Sequence, residues 1–264
     1  MFSRYFRMPQ GFEYFVYLSQ VQQGVAIRTA VEYWRSLRPV CMGTLFWQLN
    51  DCWPVCSWSS LNYGGKWKIL HYLAKRFYAP VMLTVFQRQH GQPVEVWGVN
   101  DRLEARSGVL RVALIGFDGR TLWQDEKTVR LPKNAARKLA SYPLDRLPAA
   151  QHEAFVLAEL TTEEGVARNE LFLTEPKRCA LLPARITIAS GAAEGGGFAV
   201  RLTSDAPAFF VTVDAEGVNG EFDDNAVTLL AGETRTLQFT PKQKIGAADF
   251  AKALKVRHLQ MAAE

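Results

Sequence analysis

The chain has 264 residues, 48% hydrophobic and 22% charged, which is length enough for two or three small domains or one large one and a composition that excludes wholesale disorder. Its 31 Lys and Arg exceed its 26 Asp and Glu by five, and the densest basic stretch, Lys127 to Lys138, has no interleaved aromatics, which argues against a nucleic-acid partner. No apolar run approaches the roughly 20 residues of a membrane span and the N-terminus lacks a signal-peptide pattern, so no membrane association is expected.

Residues 14–37, YFVYLSQVQQGVAIRTAVEYWRSL, have helical periodicity: Leu18, Val21, Val25 and Ala26, then Ile27, Ala30, Val31 and Trp34, recur at three- and four-residue spacings. Gly24 in the middle leaves open one helix with a soft point or two abutting helices. Arg38-Pro39 ends the run, because proline pushes its predecessor out of the helical region. A strand is predicted over Met42–Phe46, then a turn over Leu61–Gly65 and a short helix over Trp67–Phe77, closed by Ala79-Pro80. Helix, strand, loop, helix is the rhythm of a (β/α)8 barrel, of which two helices and one strand are only a fraction. Residues 1–80 also hold five of the seven Trp and seven of the eight Tyr, so this third differs in kind from the rest.

After Pro80 the rhythm changes. Val81–Gln87, Pro93–Val99, Val109–Phe117, Thr121–Leu131, Glu153–Thr161 and Leu171–Thr174 read as strands, with turns at Asn100-Asp101 and Asp118-Gly119. Residues 134–140, NAARKLA, read as a helical turn or two. About a hundred residues of this pattern suit an immunoglobulin-like sandwich. A second set starts near Cys179: Leu182–Ala189 and Phe198–Thr203 flank a glycine-rich hairpin tip at 190–197, and Ala208–Asp214, Ala226–Leu230, Thr234–Thr240 and Ala253–Leu259 complete it. In Ala208–Asp214, Phe209, Val211 and Val213 alternate with Phe210, Thr212 and Asp214, which predicts one buried and one wet face. The expected fold class is α+β multidomain: a partial (β/α)8-barrel remnant over 1–80, followed by two immunoglobulin-like β-sandwiches over 81–178 and 179–264.

Most catalytic and metal chemistries find no support. His71, His90, His152 and His258 are far apart, and no G-x-S-x-G, P-loop or Rossmann pattern occurs. Cys52 and Cys56 form the only close cysteine pair, and all four cysteines read as buried free thiols. No cofactor and no metal are expected. The informative stretch is 41–80, CMGTLFWQLNDCWPVCSWSSLNYGGKWKILHYLAKRFYAP, where an apolar run leads into a cluster of Trp, Asn and Asp and then an amphipathic segment. A barrel strand delivers side chains to a sugar site in that way and returns through a helix.

The run GTLFWQLNDCWPVCSWS (43–59), continued by KWK (66–68) and RFYAP (76–80), resembles the final barrel strand and following segment of the β-mannosidases of glycoside hydrolase family 2. YLSQVQQ (17–23) with Glu32 and Arg35 resembles the preceding helix, and FAVRLTSDAPAFFV (198–211), GEFDDNAVTLLAGE (220–233) and LQFTP (237–241) resemble the terminal immunoglobulin-like domain. The resemblance implies a retaining glycosidase acting on non-reducing terminal β-D-mannosyl residues, with two carboxyl groups about 5–5.5 Å apart. In that family the nucleophile lies in a Ser-Glu-Phe-Gly-type motif, which is absent from this sequence, so neither catalytic residue is carried over. Glu13 and Glu32, the glutamates of residues 1–80, are expected to be solvated or salt-bridged.

What the resemblance does imply is a substrate platform at Trp47, an indole beneath the mannosyl ring at the C-terminal end of the last strand. Gln48, Asn50 and Asp51 come next in the chain, as ligands of sugar hydroxyls or as loop braces; Trp53 and Trp58 are expected to pack. The expected function is the C-terminal part of a retaining β-mannosidase, one active-site wall plus accessory domains, inactive alone. Its expected partners are a β-mannoside carbohydrate and the upstream barrel portion of the same enzyme. The alternative is a non-catalytic module of β-sandwiches that binds carbohydrate or protein.

Overall fold

The computed structural model describes residues 2–193 and 196–262; Glu194 and Gly195 of the predicted hairpin tip lie outside the described residues. The chain packs as two compact units, each discontinuous in sequence: Ala26–Phe46 with Ala74–Ala180, and Met1–Val25 with Trp47–Leu73 and Leu181–Glu264.

The N-terminal region is helical: α1 (Phe2–Tyr5), α2 (Phe12–Ser36) and α3 (Ile69–Phe77). Helix α2 runs 25 residues without interruption. Gly24 is a contact, not a break, since a Cβ there would lie 2.6 Å from Leu73 Cδ1 of α3. The buried face of α2 includes Tyr17, Leu18, Val21, Val31 and Glu32, whereas Trp34, predicted inward, is exposed. The predicted strand at Met42–Phe46 does not form: residues 41–46 are irregular, and residues 2–80 contain only isolated bridges, Asn50 with Leu61 and Leu61 with Trp67. A strand needs hydrogen-bonding neighbours to persist, and this segment pairs with none. The expected barrel remnant is therefore present here as a helical region without barrel strands.

The first sandwich comprises β1 (Val81–Phe86), β2 (Val94–Asn100), β3 (Arg106–Gly116), β4 (Thr121–Leu131), β5 (Ala135–Tyr142), β6 (Ala154–Thr162) and β7 (Gly165–Phe172). Its sheets run β1-β2-β5 and β4-β3-β6-β7, every pair antiparallel. Val85, Val94, Val96, Leu110, Leu114, Val156 and Leu160 fill the space between them. The helical turn expected at 134–140 is instead strand β5, paired with β2 from Val94↔Tyr142 to Asn100↔Ala135. Local alanine-rich propensity loses there to tertiary pairing, the usual way short segments are overridden. The turn at Asp118-Gly119 joins β3 to β4 as predicted, with Gly119 at φ 87° and the Asp118 carboxylate accepting from the Arg120 N–H at 3.0 Å. In this unit Glu32 is buried; it accepts from Thr84 and from Asn169, each at 2.9 Å, while Arg28 pairs with Glu170 at 2.7 Å. Burial pushes the Glu32 pKa upward, opposed chiefly by Arg28.

The second sandwich comprises β8 (Ile186–Ala192), β9 (Phe198–Ser204), β10 (Ala208–Ala215), β11 (Gly220–Phe222), β12 (Val227–Leu229), β13 (Thr234–Pro241) and β14 (Leu254–Arg257), with α4 (Ala247–Ala253) before the last strand. Its sheets run β11-β13-β9-β8 and β12-β10-β14. Phe250 of α4 is fully buried and stacks on Phe198 at 4.0 Å. The clean alternation predicted for β10 fails at one residue. Phe210 has φ 51° and is buried beside Phe209, and the pairing with β12 shifts register between Ala208 and Val211. A bulge spends one residue without advancing the ladder, so Ala208 and Val211, three apart, both face the sandwich core, while Phe209 and Phe210 are buried outside that cluster.

Candidate functional site

The segment at 47–68 folds back on itself through backbone hydrogen bonds. The Leu61 N–H donates to Leu49 O at 2.8 Å, Asp51 N–H to Leu61 O at 3.1 Å, and Lys68 N–H to Ser60 O at 2.9 Å. The loop these bonds enclose is held from within by a polar clasp. Asp51 and Lys68, only 5% and 6% exposed, form an ion pair at 3.1 Å. The Ser57 hydroxyl donates to the other carboxylate oxygen of Asp51, and Lys68 Nζ also donates to Ser59 Oγ at 2.8 Å, whose hydroxyl donates to Leu61 O at 2.8 Å. The Ser57 hydroxyl does most to hold the Asp51 carboxyl below the ordinary aspartate pKa, with Ser59 and Lys68 adding to it against the effect of burial. Ser60 Oγ reaches Leu49 O at 2.8 Å and His71 Nδ1 at 3.0 Å, and Gln23 Nε2 of α2 donates to Trp58 O at 2.7 Å.

On this scaffold the apolar side chains point outward. Trp47 is 71% exposed, and Leu49, Trp53 and Trp58 are exposed as well. Trp53 and Trp58 thus do not pack as expected. Asn50 is exposed with its amide donating to Asp51 O at 3.2 Å, and Gln48 Nε2 donates to Asn50 O at 3.0 Å. The loop therefore brings the Trp47 indole and the amides of Gln48 and Asn50 into one ordered segment, while Asp51 is turned inward. It offers a flat apolar plate beside hydrogen-bonding amides, but no pair of free carboxyl groups. Glu13 is on the surface in an ion pair with Arg257 at 3.0 Å, and Glu32 lies in the buried network of the other unit.

Sequence reasoning missed Lys68. The signal was present in the KWK triplet: a lysine immediately before the apolar residues that open α3 is placed to be buried, and a buried lysine requires a partner. Cys52 and Cys56 are exposed free thiols and Cys41 half-exposed; only Cys179 is buried as expected, because Cys52 and Cys56 belong to the outward-facing loop. Among the described residues no group of three or more His, Cys, Asp or Glu is placed to hold a metal ion.

Similarity to known proteins extends over both sandwiches. Residues 92–178 match a family described as a mannosidase Ig/CBM-like domain, and residues 181–262 one described as an Ig-fold domain. A β-mannosidase of Capra hircus is 30% identical over 260 residues, covering 92% of this chain and 29% of that protein. A β-mannosidase of Mus musculus is 30% identical over 295 residues, covering 97% and 31%. The crystal structure of a β-D-mannosidase from Dictyoglomus thermophilum superimposes with a TM-score of 0.85 at 27% identity, covering 97% of this chain and 31% of that one. An exo-chitosanase of Amycolatopsis orientalis has the same fold, with a TM-score of 0.73 at 18% identity, over 100% of this chain and 36% of its own. The chain spans about 30% of the length of the β-mannosidases it matches.

Proposed function

We infer, for a chain that carries the two C-terminal immunoglobulin-like domains of the β-mannosidases of glycoside hydrolase family 2, that it supplies one active-site wall and the accessory domains of a retaining enzyme. The substrate of that enzyme is a non-reducing terminal β-D-mannosyl residue. Trp47 carries the reading. A large indole held out by a hydrogen-bonded loop, with Leu49, Trp53 and Trp58 exposed on the same loop, makes an apolar display of the kind that marks an interaction site. Its face suits the C–H side of a pyranose, and the loop's rigidity reduces the ordering that binding would otherwise require.

Asn50, exposed next to the plate, is assigned to a sugar hydroxyl. Asp51 is assigned to bracing, because its two oxygens are committed to Ser57 and Lys68. Retaining chemistry needs two carboxyl groups about 5–5.5 Å apart, one as nucleophile and one as acid/base. The three carboxylates of residues 1–80, Glu13, Glu32 and Asp51, are all engaged elsewhere. We assign the reacting acids to a barrel portion that is not among these 264 residues. Residues 1–80 then form the end of that barrel, Met42–Phe46 becoming a strand only when neighbouring strands pair with it, and 81–178 and 179–264 are the two sandwiches. The exposure of Val40, Met42, Leu45, Trp47 and Leu49 in succession supports such a cover.

The experiment is an aryl β-mannoside assay of the purified chain, alone and with the barrel portion supplied. The chain alone releases no nitrophenol, and the completed enzyme with Trp47→Ala loses about ten- to a hundredfold in kcat/KM, equivalent to roughly 1.4–2.8 kcal/mol. Turnover by the chain alone, or an unchanged kcat/KM in the variant, would refute the reading. The second reading, a non-catalytic binding module, draws on one observation: the first sandwich has a hydrophobic core of its own, and the second completes its core with Tyr72 of α3 from within this chain.

A further inference from the structure

The compact unit of Met1–Val25, Trp47–Leu73 and Leu181–Glu264 contains a cleft of 360 Å³. That lies near the small end of the roughly 300–1,000 Å³ usual for ligand pockets. Its walls are the first turns of α2, residues from 62 to 72, Val218, Asn225 and parts of β10, β11, β13 and β14; Trp47 is not among them.

The floor is aromatic and aliphatic. Trp67 is half-buried, with its ring centroid 5.1 Å from that of Tyr72 and 4.3 Å from that of His71. Val218 and Phe222 add apolar wall. Around this floor the charged groups are already matched: Lys66 with Asp214 at 2.6 Å, Arg257 with Glu13 at 3.0 Å, and Glu221 with Lys242 at 3.3 Å. A ring of paired ions has no surplus charge with which to select an ionic ligand. Two carboxamides do have capacity to spare. Among the described residues the Asn62 side chain has no protein hydrogen-bond partner, and Gln20, whose Oε1 accepts the Ile69 N–H at 3.2 Å, has none for its Nε2. An amide donates and accepts, as a vicinal diol does, and an aromatic floor takes the apolar face of a ring.

We propose that this cleft is an accessory site for a neutral saccharide of one or two pyranose rings. All its walls come from one unit of this chain, so it needs no residue from outside these 264 and does not depend on the role of Trp47.

The test is calorimetric titration and saturation-transfer NMR of the full chain with mannose, β-1,4-mannobiose, glucose and cellobiose. At least one sugar binds saturably with Kd on the order of millimolar, as expected for a ligand of this size in an open cleft. Asn62→Ala weakens that binding at least fivefold, Asn62→Trp, which places an indole among the lining side chains, abolishes it, and Trp47→Ala leaves it unchanged. Gln20→Ala also removes the bond to the Ile69 N–H, so its effect is read only with an unaltered melting curve; Asn62→Ala does not carry that complication. Absence of saturable binding for all four sugars in the wild-type chain would overturn the proposal. So would binding that both Asn62 variants leave intact, or binding lost with Trp47→Ala alone; the last result would favour the platform while removing the cleft.

Discussion

In the C-terminal sandwich Phe198, Phe222, Phe239 and Phe250 are buried against one another, whereas in the loop over 47–60 Trp47, Trp53 and Trp58 face solvent and Asp51, Ser59 and Ser60 are the buried residues. The sandwich has the ordinary polarity of a protein core, apolar within and polar without. The loop has the reverse, folded around an ion pair and three serines with its apolar groups displayed. Apolar burial is non-directional and tolerates repacking, while a buried ion pair holds only with its partners in place. The two regions should therefore fail under different insults, and their contrast can be broken from either side.

The largest effect belongs to the sandwich. Phe250→Ala removes a fully buried ring from the stack with Phe198 and should cost about 3–5 kcal/mol in denaturant-induced unfolding. A loss under about 1 kcal/mol would mean the core collapses around the void and the contrast is overstated. Next comes the clasp: Lys68→Met leaves the Asp51 carboxylate buried without its cation. Proteolytic cleavage within 52–58 should accelerate while the sandwiches keep their melting transition. Equal destabilisation of both regions would show that the clasp supports the whole unit instead of the loop.

Acidity gives a smaller and reversible version of the same test. The folded-state pKa of Asp51 lies below its unfolded value of about 3.9, so the clasp's contribution is fully present above that value and is lost as pH falls through the lowered folded pKa. The stability gap between wild type and Asp51→Asn should hold steady from pH 7 to about 5 and close below about pH 4. A gap that widens on acidification would reverse the assignment. The smallest effect is the most discriminating. Trp47→Ala, at a residue 71% exposed, should change the chain's unfolding free energy by no more than about 0.5 kcal/mol, since the indole supports no core. A loss of several kcal/mol would make Trp47 a structural residue.

The two sandwiches were legible because strands advertise themselves through alternation and turn chemistry that are local. Asp118-Gly119 marked its hairpin correctly, and Thr121–Leu131 was read to its ends. Ala135–Tyr142 was not legible, because its composition favours a helix and only β2 makes it a strand. Met42–Phe46 failed for the opposite reason: its apolar pattern suits a strand, but no neighbour supplies the hydrogen bonds. For the site, the tryptophans and amides could be found in the sequence, but their orientation could not. Whether Asp51 faces a sugar or Lys68 depends on a fold-back between positions 17 residues apart, a geometry no local pattern encodes.

The irregularity at Phe210 bears on how β10 tolerates changes in length. Its carbonyl, turned away from the ladder, accepts the Tyr17 hydroxyl at 2.7 Å, so one residue ties the start of α2 to the middle of a strand. Deleting one position between Ala208 and Val211 would remove the extra residue and straighten the strand, letting Ala208 and Val211 pair with Leu229 and Val227 in regular register while Val211 and Val213 stay inward. A deletion here would thus spare the frame of the sheet and take from the Tyr17 phenol the carbonyl that the bulge presents to it.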